Sequence, residues 1–167
     1  MHDELTEKDI LKMREEIEYR TKILRPQLLA EVKRTREYGD LSENYEYKAA
    51  KQEKNRNESR IRYLQSMIET AVIVEMQGSD TEIGLYDKVT IYIPDDEEEQ
   101  TVQIVTTVRV DALAGIISKE SPLGKALMGR KTGDTVRVLV NDRYSYDVQI
   151  LAIEKGQDTG DIPINRF

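Results

Sequence analysis

Apolar positions recur at helical spacing along the first half of the chain. Between Thr6 and Tyr38 they are three, four or seven residues apart: Ile10, Met13, Ile17, Leu24, Leu28 and Val32. This spacing predicts an amphipathic helix. Thr6 and Asp9 have the spacing of a capped helix start. Because Pro26 lacks a backbone donor, we expect it to bend this helix near Ile23 without ending it.

A second helical stretch is predicted from about Ser42 to Ala71. Its seam alternates steps of three and four residues, as in a coiled coil: Tyr47, Ala50, Lys54, Asn57, Ile61, Leu64, Ile68 and Ala71. The six residues GDLSEN, at positions 39–44, separate the two stretches and have the composition of a turn. Two long helices joined by a short turn pair antiparallel, so we predict a helical hairpin with GDLSEN at its tip.

Near Glu75 the apolar period changes from helical spacing to two. Five segments rich in Val, Ile, Thr and Tyr are predicted to be strands: residues 71–76, 86–93, 101–110, 134–140 and 144–153. Between them, SPLGKALMG predicts a short helix that Ser121 caps, Pro122 begins and Gly129 ends. The acidic run Asp95–Glu99 is interpreted as a solvated hairpin loop.

These patterns predict an α+β protein in three parts. Residues 1–75 form an antiparallel coiled-coil hairpin, residues 76–155 form a small α+β domain, and residues 156–167 form a flexible tail without periodicity.

Composition narrows the class of protein. Charged residues make up 34% of the chain and aromatic residues 6%, which favours an elongated or coiled-coil protein over one large core. The chain has no Cys, so disulfides and thiolate metal sites are excluded. The start lacks an apolar signal segment, and we find no run of membrane-spanning length, so a soluble cytoplasmic protein is expected.

The charge is unevenly distributed. Residues 1–75 carry 15 Lys and Arg against 16 Asp and Glu, whereas residues 76–167 carry 10 against 16. Phosphate affinity comes from local cations, so the chain as a whole is not a simple nucleic-acid binder. Any basic patch must be local.

Two carboxylates in the turn allow two interpretations. Asp40 and Glu43 have the spacing of a capping box for the second helix. They also suit a hard cation such as Mg²⁺, which prefers carboxylate oxygens and needs only one or two from a protein. Ser42 and Asn44 are either caps of the second helix or hydrogen-bonding groups for water or RNA.

Cations flank the acidic turn. Lys33, Arg34 and Arg36 precede it, and a larger set follows: Lys48, Lys51, Lys54, Arg56, Arg60 and Arg62. They form either a solvated helix surface with intrahelical ion pairs or a collar that binds an RNA backbone. Tyr38, Tyr45 and Tyr47 are candidates to stack on a base, although Tyr47 is expected in the seam.

Two segments resemble the Gre family of bacterial transcript-cleavage factors, of GreA and GreB type. They are REYGDLSENYEYKAAKQE, from residue 36, and ISKESPLGKALMGRKTGD, from residue 117, and the resemblance spans about residues 5–155. The resemblance implies a coiled coil followed by an FKBP-like domain. It implies that the second domain docks on RNA polymerase, that the coiled coil enters the secondary channel, and that the polymerase then cleaves the 3′ end of backtracked RNA.

The resemblance also assigns residues. Asp40 and Glu43 are implied to be the catalytic acids, which share an Mg²⁺ with the polymerase, and Arg36 and Lys51 to belong to a basic patch that contacts RNA. We add Lys48 and Lys54 to this patch. Tip support is expected from five residues: Gly39, Leu41, Ser42, Asn44 and Tyr45. Polymerase docking is expected at Ser121, Pro122, Leu123 and Gly124.

The expected protein is a monomeric accessory factor, and no enzyme by itself. It binds bacterial RNA polymerase and the nascent RNA 3′ end, holds no metal stably alone, and does not bind membranes. Three alternatives stay open: a Gre-like inhibitor that occupies the channel without promoting cleavage, a prolyl isomerase, and a coiled-coil scaffold. The stretch from Val105 to Gly115 lacks the glycine–acidic pattern that we associate with Gre factors.

Overall fold

The computed structural model describes residues 2–37, 44–75 and 79–166. These residues form two compact units. The helical unit contains residues 2–3 and 10–71, and the sheet unit contains residues 4–9 and 72–166. The sheet unit thus includes a short N-terminal segment that the predicted boundary at residue 75 assigned to the coiled coil.

Four helical segments are described before the sheet: α1 (Glu7–Tyr19), a π-helical turn (Arg20–Leu24), α2 (Arg25–Arg36) and α3 (Tyr45–Thr70). Helix α3 pairs antiparallel with the preceding segments, as residue pairs 20/57 and 35/44 show. The predicted hairpin is therefore confirmed. Among the described residues of the hairpin, four apolar side chains are buried: Met13, Ala50, Ile61 and Leu64.

The π-helical turn lies immediately before Pro26, where the sequence predicts a bend. The Arg25 N–H donates to the Arg20 carbonyl, five residues back, instead of four. A wider turn is one way in which a helix accommodates a proline, whose backbone has no N–H to donate. Asn57, from the seam of α3, also donates to the Arg20 carbonyl, at 3.2 Å, and accepts from Arg20 Nη1 at 3.0 Å.

A polar layer surrounds this turn. Arg60 is 7% exposed and bonds the Glu16 carboxylate through Nε at 2.7 Å and Nη2 at 3.2 Å. Arg20 binds the same carboxylate at 2.8 Å. Burial raises the pKa of Glu16, but the two guanidinium groups outweigh it and the net pKa is lowered. The seam is therefore held at its middle by charge and hydrogen bonds rather than by apolar contact.

Within residues 4–9, 72–75 and 79–166, the sheet unit has seven strands, one short α-helix, α4 (Pro122–Leu127), and a 3-10 turn (Ala112–Ala114). The strands are β1 (Glu4–Leu5), β2 (Val72–Ile73), β3 (Lys88–Ile93), β4 (Glu98–Val105), β5 (Ile116–Ser118), β6 (Thr135–Asn141) and β7 (Tyr144–Glu154). Strands β1 and β2 pair in parallel. The other five form one sheet in the order β5-β4-β3-β7-β6, which is antiparallel except for the β4–β5 pair.

One face of this sheet supplies the core of the unit. Alternate residues of the strands are buried, among them Val89, Ile91, Ile104, Val138 and Ile150. Leu127 of α4 packs into the same core. The α+β class predicted from the change in period is confirmed.

Helix α4 and strands β4 and β5 differ in how closely they follow the sequence-based prediction. Helix α4 begins and ends as predicted, with Ser121 as cap and Gly129 at φ 78°. The strand predicted over residues 101–110 is wrong in its second half, because β4 ends at Val105 and Arg109 N–H closes a turn onto the Thr106 carbonyl. Strand β5 was not predicted, since it has only three residues, which lie between a turn and the cap of α4.

A buried arginine explains why the strand stops. Arg109 is 0% exposed and lies between two buried carboxylates. Its Nε is 2.7 Å from Asp9 Oδ1, an ion pair without linear hydrogen-bond geometry, and its Nη2 is 2.8 Å from Asp158 Oδ2. Thr106 donates to the other Asp9 oxygen at 2.8 Å. Asp9 also accepts from the Thr6 N–H, and so completes the predicted cap of α1.

The segment after β7 is anchored to the unit, so the prediction of a loose tail is corrected. Its carboxylate at Asp158 holds Arg109, and Arg109 Nη1 donates to the Ile162 carbonyl at 2.9 Å. Gly156 N–H donates to Asp87, and Asn165 N–H donates to the Val108 carbonyl. The segment lacks apolar periodicity because polar and backbone groups, rather than an apolar face, fix it.

We predict that Arg109→Ala lowers the free energy of unfolding of the sheet unit by about 3–5 kcal/mol, because it leaves two buried carboxylates without their cation. Urea unfolding, followed by hydrogen exchange of the β3 amides, measures the change. Arg137→Ala is the matched control, since the Arg137–Asp147 pair is exposed and should cost less than about 1 kcal/mol. Equal effects of the two substitutions would contradict the role of Arg109.

The same ion pair makes stability depend on pH. Burial raises the pKa of Asp158, but the Arg109 and Gly160 donors outweigh it and the folded-state pKa is lowered. The stabilisation is therefore present above the unfolded pKa, about 3.9, and is lost as pH falls through the lower folded-state pKa. We expect Asp158→Asn to be less stable than wild type at pH 7, with a gap that closes in acid. A gap that stays constant from neutral pH down to acid would refute this linkage.

Candidate functional site

The predicted site lies at the turn of the hairpin, and the structure describes its two flanks. Gly39, Asp40, Leu41, Ser42 and Glu43 lie outside the described residues. The helix that follows them begins at Tyr45, three residues later than the sequence predicts, and Asn44 is its N-cap.

Asn44 performs two tasks at the start of α3. It has extended backbone angles of φ −84° and ψ 91°, and its Oδ1 accepts from the Tyr47 N–H at 3.0 Å. Its Nδ2 donates to the Thr35 carbonyl in the last turn of α2, at 2.7 Å. The side chain thus caps one helix and binds the end of the other.

The helix cap decides one of the open alternatives. A capping box with Asp40 at the N-cap and Glu43 three residues later is not the start of α3, because Asn44 holds that position. Ser42 is not the N-cap for the same reason. The two carboxylates are therefore not required to begin α3.

Thr35 receives the Asn44 hydrogen bond in a buried position. It is 1% exposed, and its hydroxyl donates to the Glu31 carbonyl at 2.9 Å and the Val32 carbonyl at 3.1 Å. The helix end that precedes residues 38–43 is thus held by its own last turn and by Asn44 of α3. The sequence does not signal this contact, because threonine near a helix end is common.

The cations beside the turn separate into paired and unpaired groups. Within the described ranges, Lys33, Arg36, Lys48 and Lys51 are exposed and form no salt bridge. Other cations of the hairpin are paired with carboxylates: Arg34 with Glu31, Arg56 with Glu53, Arg25 with Glu58, and Arg60 with Glu16. Four exposed cations without a described carboxylate partner thus flank residues 38–43.

Lys54 differs from the other predicted members of the basic patch. It is half-buried in the seam. The pKa of the nearby Glu58 carboxyl is lowered, first by its hydrogen bond from Arg25 and further by the charges of Arg25, Arg62 and Lys54. Lys54 is therefore partly committed to the hairpin itself.

The tyrosines are also separated by the structure. Tyr47 is half-buried, as expected for a seam position, whereas Tyr45 is 80% exposed. The Lys48 ammonium lies 5.6 Å from the centroid of the Tyr45 ring. Tyr38 lies outside the described residues.

The four residues predicted to dock on a partner have structural roles in the sheet unit. The Ser121 hydroxyl caps α4 by accepting from Gly124 N–H at 3.0 Å and donates to the Ser118 carbonyl at 2.6 Å. A Cβ on Gly124 would lie 2.1 Å from the Ser118 oxygen, so only glycine fits. Leu123 packs against the core, and Pro122 is exposed. Much of this motif therefore serves the fold.

A cleft of about 370 Å³ lies on the sheet unit. Tyr86 is the one aromatic residue of its lining, and charged side chains, among them Lys88, Glu154 and Asp161, make up much of the rest. A prolyl isomerase requires an apolar pocket. The lining therefore disfavours that alternative.

Two negative findings apply to residues 2–37, 44–75 and 79–166. No group of three or more His, Cys, Asp or Glu side chains there is arranged to hold a metal ion. No helix in these ranges is both long enough and apolar enough to cross a bilayer.

Comparison with known proteins identifies the family. Residues 4–73 match the family model described as "Transcription elongation factor, N-terminal", and residues 78–155 match "Transcription elongation factor, GreA/GreB, C-term". The chain belongs to the GreA/GreB family of transcription elongation factors. The resemblance predicted from the two motifs is confirmed.

Relatives of GreA/GreB type are similar over most of their length. Transcription elongation factor GreA of Staphylococcus saprophyticus is 38% identical over 90% of this chain and 95% of its own. GreA of Streptococcus sanguinis is 42% identical over 86% of this chain and 90% of its own. Among solved structures, Gfh1 of Thermus thermophilus is 28% identical, with a TM-score of 0.43 over 93% of this chain and 100% of that one.

Asn44 allows the cap and the link to α2 to be tested separately. We predict that Asn44→Asp keeps the cap, since aspartate caps as well as asparagine, but loses the donor to the Thr35 carbonyl. Asn44→Ala loses both, and should destabilise the hairpin by about 1–2 kcal/mol.

Hydrogen exchange distinguishes the two effects. In Asn44→Asp the Tyr47 amide should stay protected while the amides of the last turn of α2 exchange faster. In Asn44→Ala both regions should exchange faster. Unchanged exchange at the end of α2 in both variants would show that the Thr35 hydrogen bond does not hold the helix end.

Proposed function

We propose that this GreA/GreB-family protein binds RNA polymerase and stimulates Mg²⁺-dependent cleavage of the 3′ end of backtracked RNA. The observation that supports it most is the Asn44 cap. Asn44 is the N-cap of α3, so the start of this helix does not depend on a cap from Asp40. In sequence, Asp40 and Glu43 stand between two flanks that Asn44 ties together.

The donor set fits a metal shared with a partner. Two carboxylates suit Mg²⁺, which often keeps several waters and takes further ligands from elsewhere. The described residues provide no group of three ligands, so the remaining ligands would come from the polymerase. When bound, Mg²⁺ activates a water and stabilises a leaving oxygen. In this proposal Asp40 and Glu43 would bind the metal ion and orient it. The protein alone does not hydrolyse RNA.

The unpaired cations support the RNA part of the proposal. Arg36, Lys48 and Lys51 are exposed and lack a described carboxylate partner, so they remain available to phosphates. Lys54 contributes less, because it is half-buried in the seam. These side chains would hold the extruded RNA while the sheet unit docks on the polymerase near the exposed Pro122.

The proposal predicts the phenotype of the acidic residues. In a backtracked elongation complex with labelled RNA and Mg²⁺, the wild-type protein should accelerate release of 3′ fragments. Asp40→Ala and Glu43→Ala should each reduce this acceleration by about 100-fold or more, the usual scale for loss of a group that stabilises a transition state. Binding to polymerase should be unchanged, because neither residue lies in the sheet unit.

Controls separate the alternatives. Glu53→Ala removes a carboxylate of α3 that is paired with Arg56 and should leave cleavage near the wild-type rate. If wild type leaves cleavage unchanged and slows nucleotide addition, the protein is instead a channel-occupying inhibitor. If it affects neither reaction although it binds polymerase, the scaffold alternative is favoured.

A further inference from the structure

Tyr45 is the most exposed large aromatic side chain among the described residues, at 80%. It is the first residue of α3, and the half-buried Tyr47 stands two positions later. The seam therefore does not need the Tyr45 ring. An exposed aromatic ring thus stands at the start of α3, close in sequence to Asp40 and Glu43.

Lys48 fixes the environment of this ring. It is one helical turn after Tyr45, so both side chains lie on the same side of α3. Its ammonium is 5.6 Å from the ring centroid, within the range of a cation–π contact. Since Tyr45 is 80% exposed, its ring keeps accessible surface besides this contact.

The chemistry of the surroundings narrows the ligand. Arg36, Lys48 and Lys51 are exposed and form no salt bridge with another described residue. A ligand that suits both an exposed aromatic ring and several unpaired cations has a flat apolar part and negative charge. An unpaired nucleotide has both: a base for the ring and a phosphate for the cations.

We propose that Tyr45 is a stacking platform for an unpaired base of the RNA 3′ segment, with Lys48 supplying positive charge beside the adjoining backbone. This inference rests on the proposed function and adds to it a nucleobase contact made by an aromatic residue. Stacking tolerates any base, because every base has a π face. The platform would therefore strengthen RNA binding with little sequence preference.

Three substitutions at one position separate stacking from other effects. Tyr45→Phe keeps the aromatic face, Tyr45→Leu keeps apolar bulk, and Tyr45→Ala removes both. We expect Tyr45→Phe to match wild type. Tyr45→Leu and Tyr45→Ala should raise the protein concentration needed for half-maximal cleavage by about 5- to 100-fold, the usual effect of losing one stacked base. Because Tyr45 is exposed, all three should keep the wild-type helical circular dichroism.

Two changes in the RNA identify what the ring contacts. With an abasic nucleotide at the extruded 3′ end, wild type should fall to the level of Tyr45→Ala, and the difference between the two should vanish. With 4-thiouridine at that position, light should cross-link the RNA to wild type and Tyr45→Phe at similar yield, and to Tyr45→Ala much less.

The outcomes are distinct. Equal activity of Tyr45→Leu and Tyr45→Phe would overturn the stacking proposal. A defect in Tyr45→Ala that persists on abasic RNA would assign the ring to a contact with the polymerase instead. If wild type does not accelerate cleavage, the proposed function fails, but the cross-linking comparison still tests the platform in the same complexes.

Discussion

A single buried cation, the Arg109 guanidinium, organises the sheet unit. It binds Asp9 from the segment that precedes the hairpin and Asp158 from the segment that follows the last strand. Its own turn ends β4. Two carboxylates far apart in sequence thus bind one guanidinium group, and burying either carboxylate without it would be energetically costly. Desolvation is costly, so the arrangement depends on its two ion pairs and on the hydrogen bonds that Thr6, Thr106 and the Ile162 carbonyl add to them. The unit is therefore stabilised by the two segments that carry Asp9 and Asp158, as well as by the sheet.

In the hairpin, two helix ends are held together beside a short connection. Apolar packing by Met13 and Leu64 supplies adhesion, but it does not specify alignment well. Hydrogen bonds do so: Asn57 with Arg20 at the middle, and Asn44 with Thr35 at the end. A polar contact in a seam costs stability and selects one register. For a protein whose proposed task is to present two carboxylates at a defined place, register matters more than adhesion.

The sequence was a good guide wherever one period dominated. The change in apolar spacing near Glu75 separates the hairpin from the sheet, and the Ser121–Gly129 helix follows from its capping residues alone. The sequence-based predictions were wrong where a polar partner distant in sequence determines the local structure. Residues 106–110 continue the alternation of β4, so nothing local announces that Arg109 turns inward. The segment after β7 looks loose because its anchors are a carboxylate and backbone groups. Near the turn, the sequence indicates candidate acids, but the competition for the cap was decided by Asn44.

The π-helical turn has a consequence for the geometry of the hairpin beyond the accommodation of Pro26. Each residue of an α-helix advances the side chains by about 100° around the axis, so one extra residue in a straight helix would rotate everything that follows it away from its partner. A wider turn absorbs such a residue locally. Removing one residue from Arg20–Leu24 would therefore let this stretch close as a regular α-helix, with Thr35 and Arg36 kept near their present angular position around the axis of α2. Removing one residue from the regular part of α2 would instead rotate the side chains that flank the acidic connection by about 100°.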